Sequence, residues 1–400
     1  MSMDWKELKK KALQLLHHPK TKWVFLGCGA ALLIVAIVMA IVAIVESNKP
    51  PITQGNTSTI TLVAGGDLNI TENTVASGGE AYDYTAAFLD VAQIFAQADG
   101  AMLNLEGNFC GAPYGDSYSA PQELAQHLAK MGVDFLQTAN SCTIQNGLTG
   151  LKQTINSIRS AGMEPLGSYA DAKDSSQRFV LRSINGVKVA FVAFTKGMDG
   201  MALPSGSEKC VNLLYTDYTS TYKKIDTDGI TGILQAVQDA KPDITIALLH
   251  WGSEENTSVS STQKKIAQLM LQNGVDAIIG THSHQVQSIN FDADNGTLVA
   301  YSLGDFYGNG TNAGNQYSIL LHLQITKNWD TGEAAITGWD YTPIYTLTQN
   351  REKEDMRILQ IRPALEAYEN DSLSKVSETA YNNMKSALAQ IEKKIQPLQT

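Results

Sequence analysis

Cysteine is scarce in this chain, with four residues in 400. Cys28 lies in an apolar run, so at most one pair can form among Cys110, Cys142 and Cys210. Positive charge is also in deficit, at 30 Lys+Arg against 40 Asp+Glu, a formal charge of −10. The deficit is uneven. Residues 1–22 hold six lysines (Lys6, Lys9, Lys10, Lys11, Lys20, Lys22) and two acids (Asp4, Glu7), or +4. Trp23–Val45 hold no charge, so residues 46–400 carry −14 of the total −10. An acidic remainder argues against bulk nucleic-acid binding, which needs a positive surface. A mean hydropathy of −0.14 excludes a polytopic membrane protein. No internal repeat is evident.

What is present begins with one membrane candidate. Trp23–Val45 is 23 residues of apolar and small side chains. At about 1.5 Å per residue it reaches roughly 34 Å, enough for a bilayer core of about 30 Å. A secretory signal has a shorter apolar core and a small-residue cleavage site. Glu46-Ser47-Asn48-Lys49-Pro50-Pro51 offers no such site, so an uncleaved single-pass anchor is expected. The +4 flank places residues 1–22 in the cytoplasm and the acidic bulk outside. The expected organisation is a basic tail (1–22), a transmembrane helix (23–45), a linker (46–59), an α/β domain (60–345) and a helical extension (346–400).

Strands are expected at Ile60–Ala64, Gly100–Leu105, Phe135–Thr138, Val187–Phe194, Ile244–Leu249 and Ala277–Ile279. Helices are expected at Tyr84–Ala98, Pro121–Met131, Gly150–Ala161, Gly229–Ala240 and Ser261–Asn273. The alternation indicates an α/β domain. Hairpins are expected around Asn185-Gly186 and around Asp294-Asn295-Gly296, followed by strands at Tyr317–Thr326 and Ala334–Tyr341. Ser374–Ile395 has apolar residues three and four apart and reads as an amphipathic helix packed on the domain.

Ligands in open α/β sheets bind beyond the carboxyl ends of the strands. Five expected strand ends carry polar groups: Asp67, Asn104 with Glu106, Asn140, His250, and His282 with His284. Carboxylate, amide and imidazole together form a mixed O/N shell suited to Zn, Mn or Fe. Each alone has a plainer reading, a helix cap for Asp67 or a hydrogen-bonded structural group for a histidine. Their coincidence points to one shared site.

The motifs also keep an order. Gly66-Asp67-Leu68, Asn104-Leu105-Glu106, Ala139-Asn140, Gly147 with Gly150-Leu151, and His250-Trp251-Gly252 come first. Gly280-Thr281-His282-Ser283-His284 with Gln287, and Tyr301-Ser302-Leu303-Gly304-Asp305-Phe306, complete the series. This resembles the bacterial capsule synthesis proteins of the CapA (PGA_cap) family, related to PgsA, over about residues 60–345. The resemblance implies a metallophosphoesterase-like four-layer αββα sandwich and a single N-terminal anchor. It also implies a role at the cell surface in making or exporting poly-γ-glutamate capsule, with the polymer or synthesis-complex subunits as partners. It implies Asp67, Glu106, Asn140, His250, His282 and His284 as ligands of a divalent metal. Asp67, His250 and His282 are implied in catalysis, should there be any.

Three departures stand out against the family pattern. Ser141-Cys142 replaces Asn-His, and that histidine serves as a general acid in metallophosphoesterases. Gln145 replaces an Asp, and Asp305 replaces the Asn of Leu-Gly-Asn-Phe. If the motifs converge, Cys142 lies near Cys110 and a disulfide between them is expected. Pairing with Cys210, thiolate ligation and a buried free thiol are the alternatives.

Overall fold

The structure is a computed structural model that describes residues 56–171, 177–308, 313–348, 356–373 and 375–395. The expected transmembrane segment, the basic tail and most of the linker lie outside these residues. Among the described residues no helix is long and apolar enough to cross a membrane. Residues from Thr57 onward form one compact unit.

Two mixed sheets organise that unit. The first contains four parallel strands, β1 (Thr57–Asn69), β2 (Gly100–Glu106), β3 (Phe135–Gln137) and β4 (Glu164–Leu166). Three antiparallel strands extend it beyond β1: β11 (Tyr317–Asn328), β12 (Ala334–Leu347) and β13 (Arg357–Gln360). The second sheet runs in the order β5 (Val180–Ile184), β6 (Val187–Thr195), β7 (Ile244–His250), β8 (Ala277–Thr281), β10 (Thr297–Ala300) and β9 (Ile289–Asp292). Strands β6, β7, β8 and β10 are parallel, and hairpins add β5 and β9 at the edges. The β5–β6 turn puts Asn185 and Gly186 at φ 47° and 86°, the left-handed pair that a type I′ turn requires.

Strand alternation explains the layers. Ile60, Leu62, Ala64, Met102 and Phe135 face one cluster with Val189, Phe191, Ile246, Leu248 and Ile279, so the sheets pack on each other. Phe135 stacks on Phe191 with ring centroids 4.2 Å apart. The intervening residues Val63, Leu103 and Leu136 face the opposite way. They meet α2 (Thr85–Ala96) and α3 (Gln122–Met131) through Phe88, Val91, Phe95, Leu124 and Leu128. On the second sheet Val192, Phe194, Ala247 and Leu249 meet α5 (Thr227–Asp239) and α6 (Ser261–Gln272) through Ile230, Leu234, Ile266 and Met270. Each sheet is thus buried on both faces, which is why its parallel strands read as unbroken apolar runs. Two further helices are α1 (Glu72–Ala76) and α4 (Gly147–Ser160).

Two expectations are corrected at the ends of the domain. Thr57–Thr59 are not linker but the start of β1, paired with Asn328, Lys327 and Thr326. No boundary falls at residue 345, because β12 runs through it and pairs with β13. Helices α7 (Ile361–Glu369) and α8 (Glu378–Ile395) follow. The expected amphipathic stripe of α8 packs Met384, Ile391 and Ile395 into the same core as Tyr317 and Tyr345. The C-terminal stretch is therefore part of the domain.

Candidate metal centre

The carboxyl ends of the parallel strands of both sheets converge. β1 reaches the site through a bulge at Gly65-Gly66, where its register with β2 shifts. A Cβ on Gly66 would lie 1.8 Å from the Gly304 carbonyl oxygen, so only glycine allows this approach. The next amide, Asp67 N–H, donates to that same oxygen at 3.0 Å. This locks the end of β1 to the Leu303-Gly304-Asp305 loop.

Asp67 is fully buried. Its Oδ1 accepts from Asn104 Nδ2 at 2.5 Å and its Oδ2 from the His282 backbone N–H at 3.0 Å. Burial pushes its carboxyl up to about 6, against the opposing pull of His284. Glu106, at the end of β2, is also buried and its carboxyl is raised well above the usual range, first by burial and then by the charge of Asp67. Asn140 donates to Asn104 Oδ1 at 3.0 Å and to the Leu105 carbonyl at 2.6 Å, and accepts from Cys142 N–H at 3.0 Å. Its amide braces the ends of β2 and β3 together.

The imidazoles come from the second sheet. His250 Nε2 lies 3.5 Å from Glu106 Oε1 and 3.2 Å from Ser141 Oγ, while Nδ1 meets Thr281 Oγ1 at 3.3 Å. The His250 and His282 rings are 4.4 Å apart between centroids. Burial holds both well below the usual histidine range, and their neighbours His284 and Lys196 push the same way. His282 and His284 take φ values of 86° and 56°, a region non-glycine residues enter rarely and often at functional sites. His284 Nδ1 meets Asp305 Oδ1 at 2.7 Å and Asp67 Oδ2 at 3.7 Å. Burial alone would lower His284, but the Asp305 hydrogen bond and the charges of Asp305, Glu106 and Asp67 raise it to about 11.

Two overlapping groups have ligand atoms within 4.8 Å of one another: Glu106, His250 and His282, and Asp67, Glu106 and His284. Within them Glu106 Oε2 and His282 Nδ1 are buried without a hydrogen-bond partner. An unmatched buried carboxylate oxygen costs about 1–3 kcal/mol or more unless something satisfies it. A divalent cation does so, and carboxylate with imidazole is a donor set such ions accept. The donor set therefore fits a divalent metal.

Five of the six residues expected as ligands meet in these groups. The sixth, Asn140, adjoins them with its amide engaged in the loop. One expectation fails, since no disulfide joins Cys110 to Cys142. Cys110 Sγ instead contacts Ser119 Oγ at 3.3 Å, and Cys142 is a buried free thiol. Burial, followed by the charge of Glu106, pushes its thiol well above the usual range. Asp305, noted in the sequence only as a departure, proves to be the partner of His284. Sequence reasoning missed Lys196. It directly follows β6, a strand recognised as half of a hairpin but not counted among those ending at the site. Its Nζ lies 3.2 Å from His282 Nε2 and 2.9 Å from the Gly252 carbonyl oxygen.

The model of the family "Bacterial capsule synthesis protein PGA_cap" matches residues 61–310. A capsule biosynthesis protein CapA of Bacillus anthracis is 27% identical over 208 residues, 51% of this chain and 47% of that protein. A PGA biosynthesis protein CapA of Bacillus subtilis (strain 168) is 25% identical over 226 residues, 55% of this chain and 54% of that protein. The chain thus spans about half the length of the curated relatives it matches. Among solved structures, the calcineurin-like phosphoesterase YfkN of Bacillus subtilis aligns at a TM-score of 0.43 and 15% identity, covering 84% of this chain and 98% of that one. The family match extends across β1, β2, the β3 loop, β7, β8 and the Asp305 loop, every segment that supplies the centre, and the chain belongs to the bacterial capsule synthesis protein PGA_cap family.

Proposed function

We propose that this protein is a membrane-anchored, extracellular participant in the synthesis or export of capsular poly-γ-glutamate or a related surface polymer. It works through a divalent metal centre at the strand ends. Family membership and the names of the two Bacillus relatives support the polymer assignment. The +4 flank, the 23-residue apolar run and the −14 remainder support the orientation.

The observation that carries the centre is the pair of buried, unmatched atoms Glu106 Oε2 and His282 Nδ1 inside a cluster of carboxylates and imidazoles. Glu106, His250 and His282 would hold one ion, with Asp67 and His284 beside them. The chemistry such an ion supplies is Lewis-acid polarisation and activation of water. The chain does the positioning. Asn104 and the His282 N–H fix both oxygens of Asp67, Ser141 and Thr281 orient the His250 ring, and Asp305 orients His284.

A second reading, a metal-dependent hydrolase acting on an envelope phosphoester, is favoured by the same donor set. Cys142 counts against it. A thiol raised by burial holds its proton too tightly to replace an imidazole acid at neutral pH. Three measurements on the full-length protein separate the readings: metal content, metal-dependent cleavage of a generic phosphodiester, and capsule in a deletion strain complemented with native or His282→Ala protein. Bound metal, negligible phosphodiesterase activity and capsule restored only by the native protein are expected. Normal capsule in the deletion strain sinks the polymer role, and brisk metal-dependent cleavage moves the assignment to the hydrolase.

A further inference from the structure

Lys196 sits where a simple structural lysine would be out of place. It is carried on the turn after β6 and is half-buried, beside one of the imidazoles of the centre. Its ammonium meets the Gly252 carbonyl oxygen at 2.9 Å and His282 Nε2 at 3.2 Å, and lies 4.5 Å from the centroid of the Tyr222 ring. An ammonium can only donate, so His282 Nε2 accepts and the hydrogen of the neutral ring sits on Nδ1. That Nδ1 is the buried atom without a partner. A metal ion on His282 would displace this contact. Ligation at Nδ1 would return the hydrogen to Nε2, leaving two donors facing each other. Ligation at Nε2 would need the space the ammonium now fills. Either way, loading the centre frees one N–H of Lys196 at its edge.

We propose that Lys196 is the anion-contacting residue of this centre, its ammonium at the edge of the His282 ring meeting a carboxylate or phosphate group of the substrate when a divalent ion is held there. The inference rests on the metal centre proposed above and names the chemical class that the centre receives, an anionic group. It also answers an electrostatic problem. Residues 46–400 carry −14, and four of their acids, Asp67, Glu106, Glu254 and Asp305, gather at the centre. A polyanion therefore approaches only if positive charge is concentrated at the point of contact. A metal ion together with a released ammonium supplies it. The Gly252 carbonyl and the face of Tyr222 keep the ammonium at the rim rather than in bulk water.

The test is calorimetry on full-length native, Lys196→Met and Lys196→Arg proteins, titrated first with Mn²⁺ and then, Mn²⁺-loaded, with inorganic phosphate and with a short γ-linked glutamate oligomer. Mn²⁺ is expected to bind Lys196→Met at least as tightly as native protein, because a competing cation is gone. Binding of at least one of the two anions is expected to weaken by about tenfold or more in Lys196→Met, the scale of one charge-assisted hydrogen bond. Lys196→Arg should keep most of it. Which anion responds distinguishes a phosphoester from a polyglutamate substrate. Unchanged affinity for both anions in Lys196→Met, or weaker Mn²⁺ binding by that variant, overturns the role of Lys196 while leaving the metal centre standing. Failure of the native protein to bind Mn²⁺, Zn²⁺ or Fe²⁺ overturns the metal reading itself and this proposal with it.

Discussion

The two arms of the centre are built differently. On the first sheet Asp67 has both oxygens satisfied, and Asn104 and Asn140 form an amide chain that ties three strand ends together. On the second sheet His282 and His284 stand on left-handed backbone at the end of β8, and His282 keeps a buried nitrogen without a partner. Burial raises the carboxyls of Asp67 and Glu106 and lowers His250 and His282, so these four groups resist their charged forms, while Asp305 and the other carboxylates hold His284 charged. A cation between them reverses the cost on the acidic side and matches the neutral imidazoles on the other. The contrast teaches that hydrogen bonds already hold Asp67 in place, while Glu106 on one arm and His282 on the other each keep a buried atom for what binds.

The largest effect expected from breaking this contrast is loss of metal. Glu106→Ala and His282→Ala should each abolish calorimetric Mn²⁺ binding, and Asn104→Ala, which only orients Asp67, should weaken it by roughly 10–100-fold. Undiminished binding in both ligand variants would mean that the ion sits elsewhere. Next comes the end of β1 that carries Asp67. Gly66→Ala forces a Cβ against the Gly304 carbonyl and should cost about 3 kcal/mol in urea unfolding. A neutral result would show that the β1 bulge yields. Slightly smaller is the gain on completing the site: Mn²⁺ at 100 times its Kd should stabilise native protein by about 2.7 kcal/mol, with no gain in Glu106→Ala.

A separate pH effect is expected in metal-stripped protein. His284 is raised to about 11 from an ordinary 6.5, so its ion pair with Asp305 contributes fully below pH 6.5. That contribution is lost as pH rises through about 11. Asp305→Asn should flatten the alkaline decline of unfolding stability, and an unaltered slope would break the pairing. The smallest effect serves as a control outside both arms. Burial raises Asp276 to about 6, against the hydrogen bond from Thr245 N–H. The neutral form is favoured in the fold, so its contribution is present below pH 3.8 and fades as pH rises through 6. Asp276→Asn should remove that slope without touching Mn²⁺ affinity.

Much of this was legible in local pattern. The apolar runs from Ile60, Gly100, Val187 and Ile244 became strands within a residue or two at most ends, though β1 begins three residues earlier and runs on through the bulge to Asn69. The residues at or just past the strand ends, Asp67, Glu106, His250, His282 and His284, come together in the two candidate groups. Less was readable where the partner lies far along the chain. β13 is four residues with no periodicity of its own, and it exists because β12 offers an edge. Asn140 reads as a ligand by type, yet its amide is bonded to Asn104 and to the backbone of β2. Cys110 and Cys142 follow neighbouring motifs without joining.

The alternation of side chains along each strand, and the polar residue that stops it, are properties of a few consecutive residues. They set the α/β class and the inventory of chemical groups before any folding. Which groups share a cavity is set by the pairing of two sheets across long stretches of chain, as in the bond from His282 N–H to Asp67, 215 residues apart. The seat for the cation, the orphaned atoms that call for it and the ammonium of Lys196 beside it arise from that packing, because desolvation and hydrogen-bond satisfaction exist only once distant segments exclude water together.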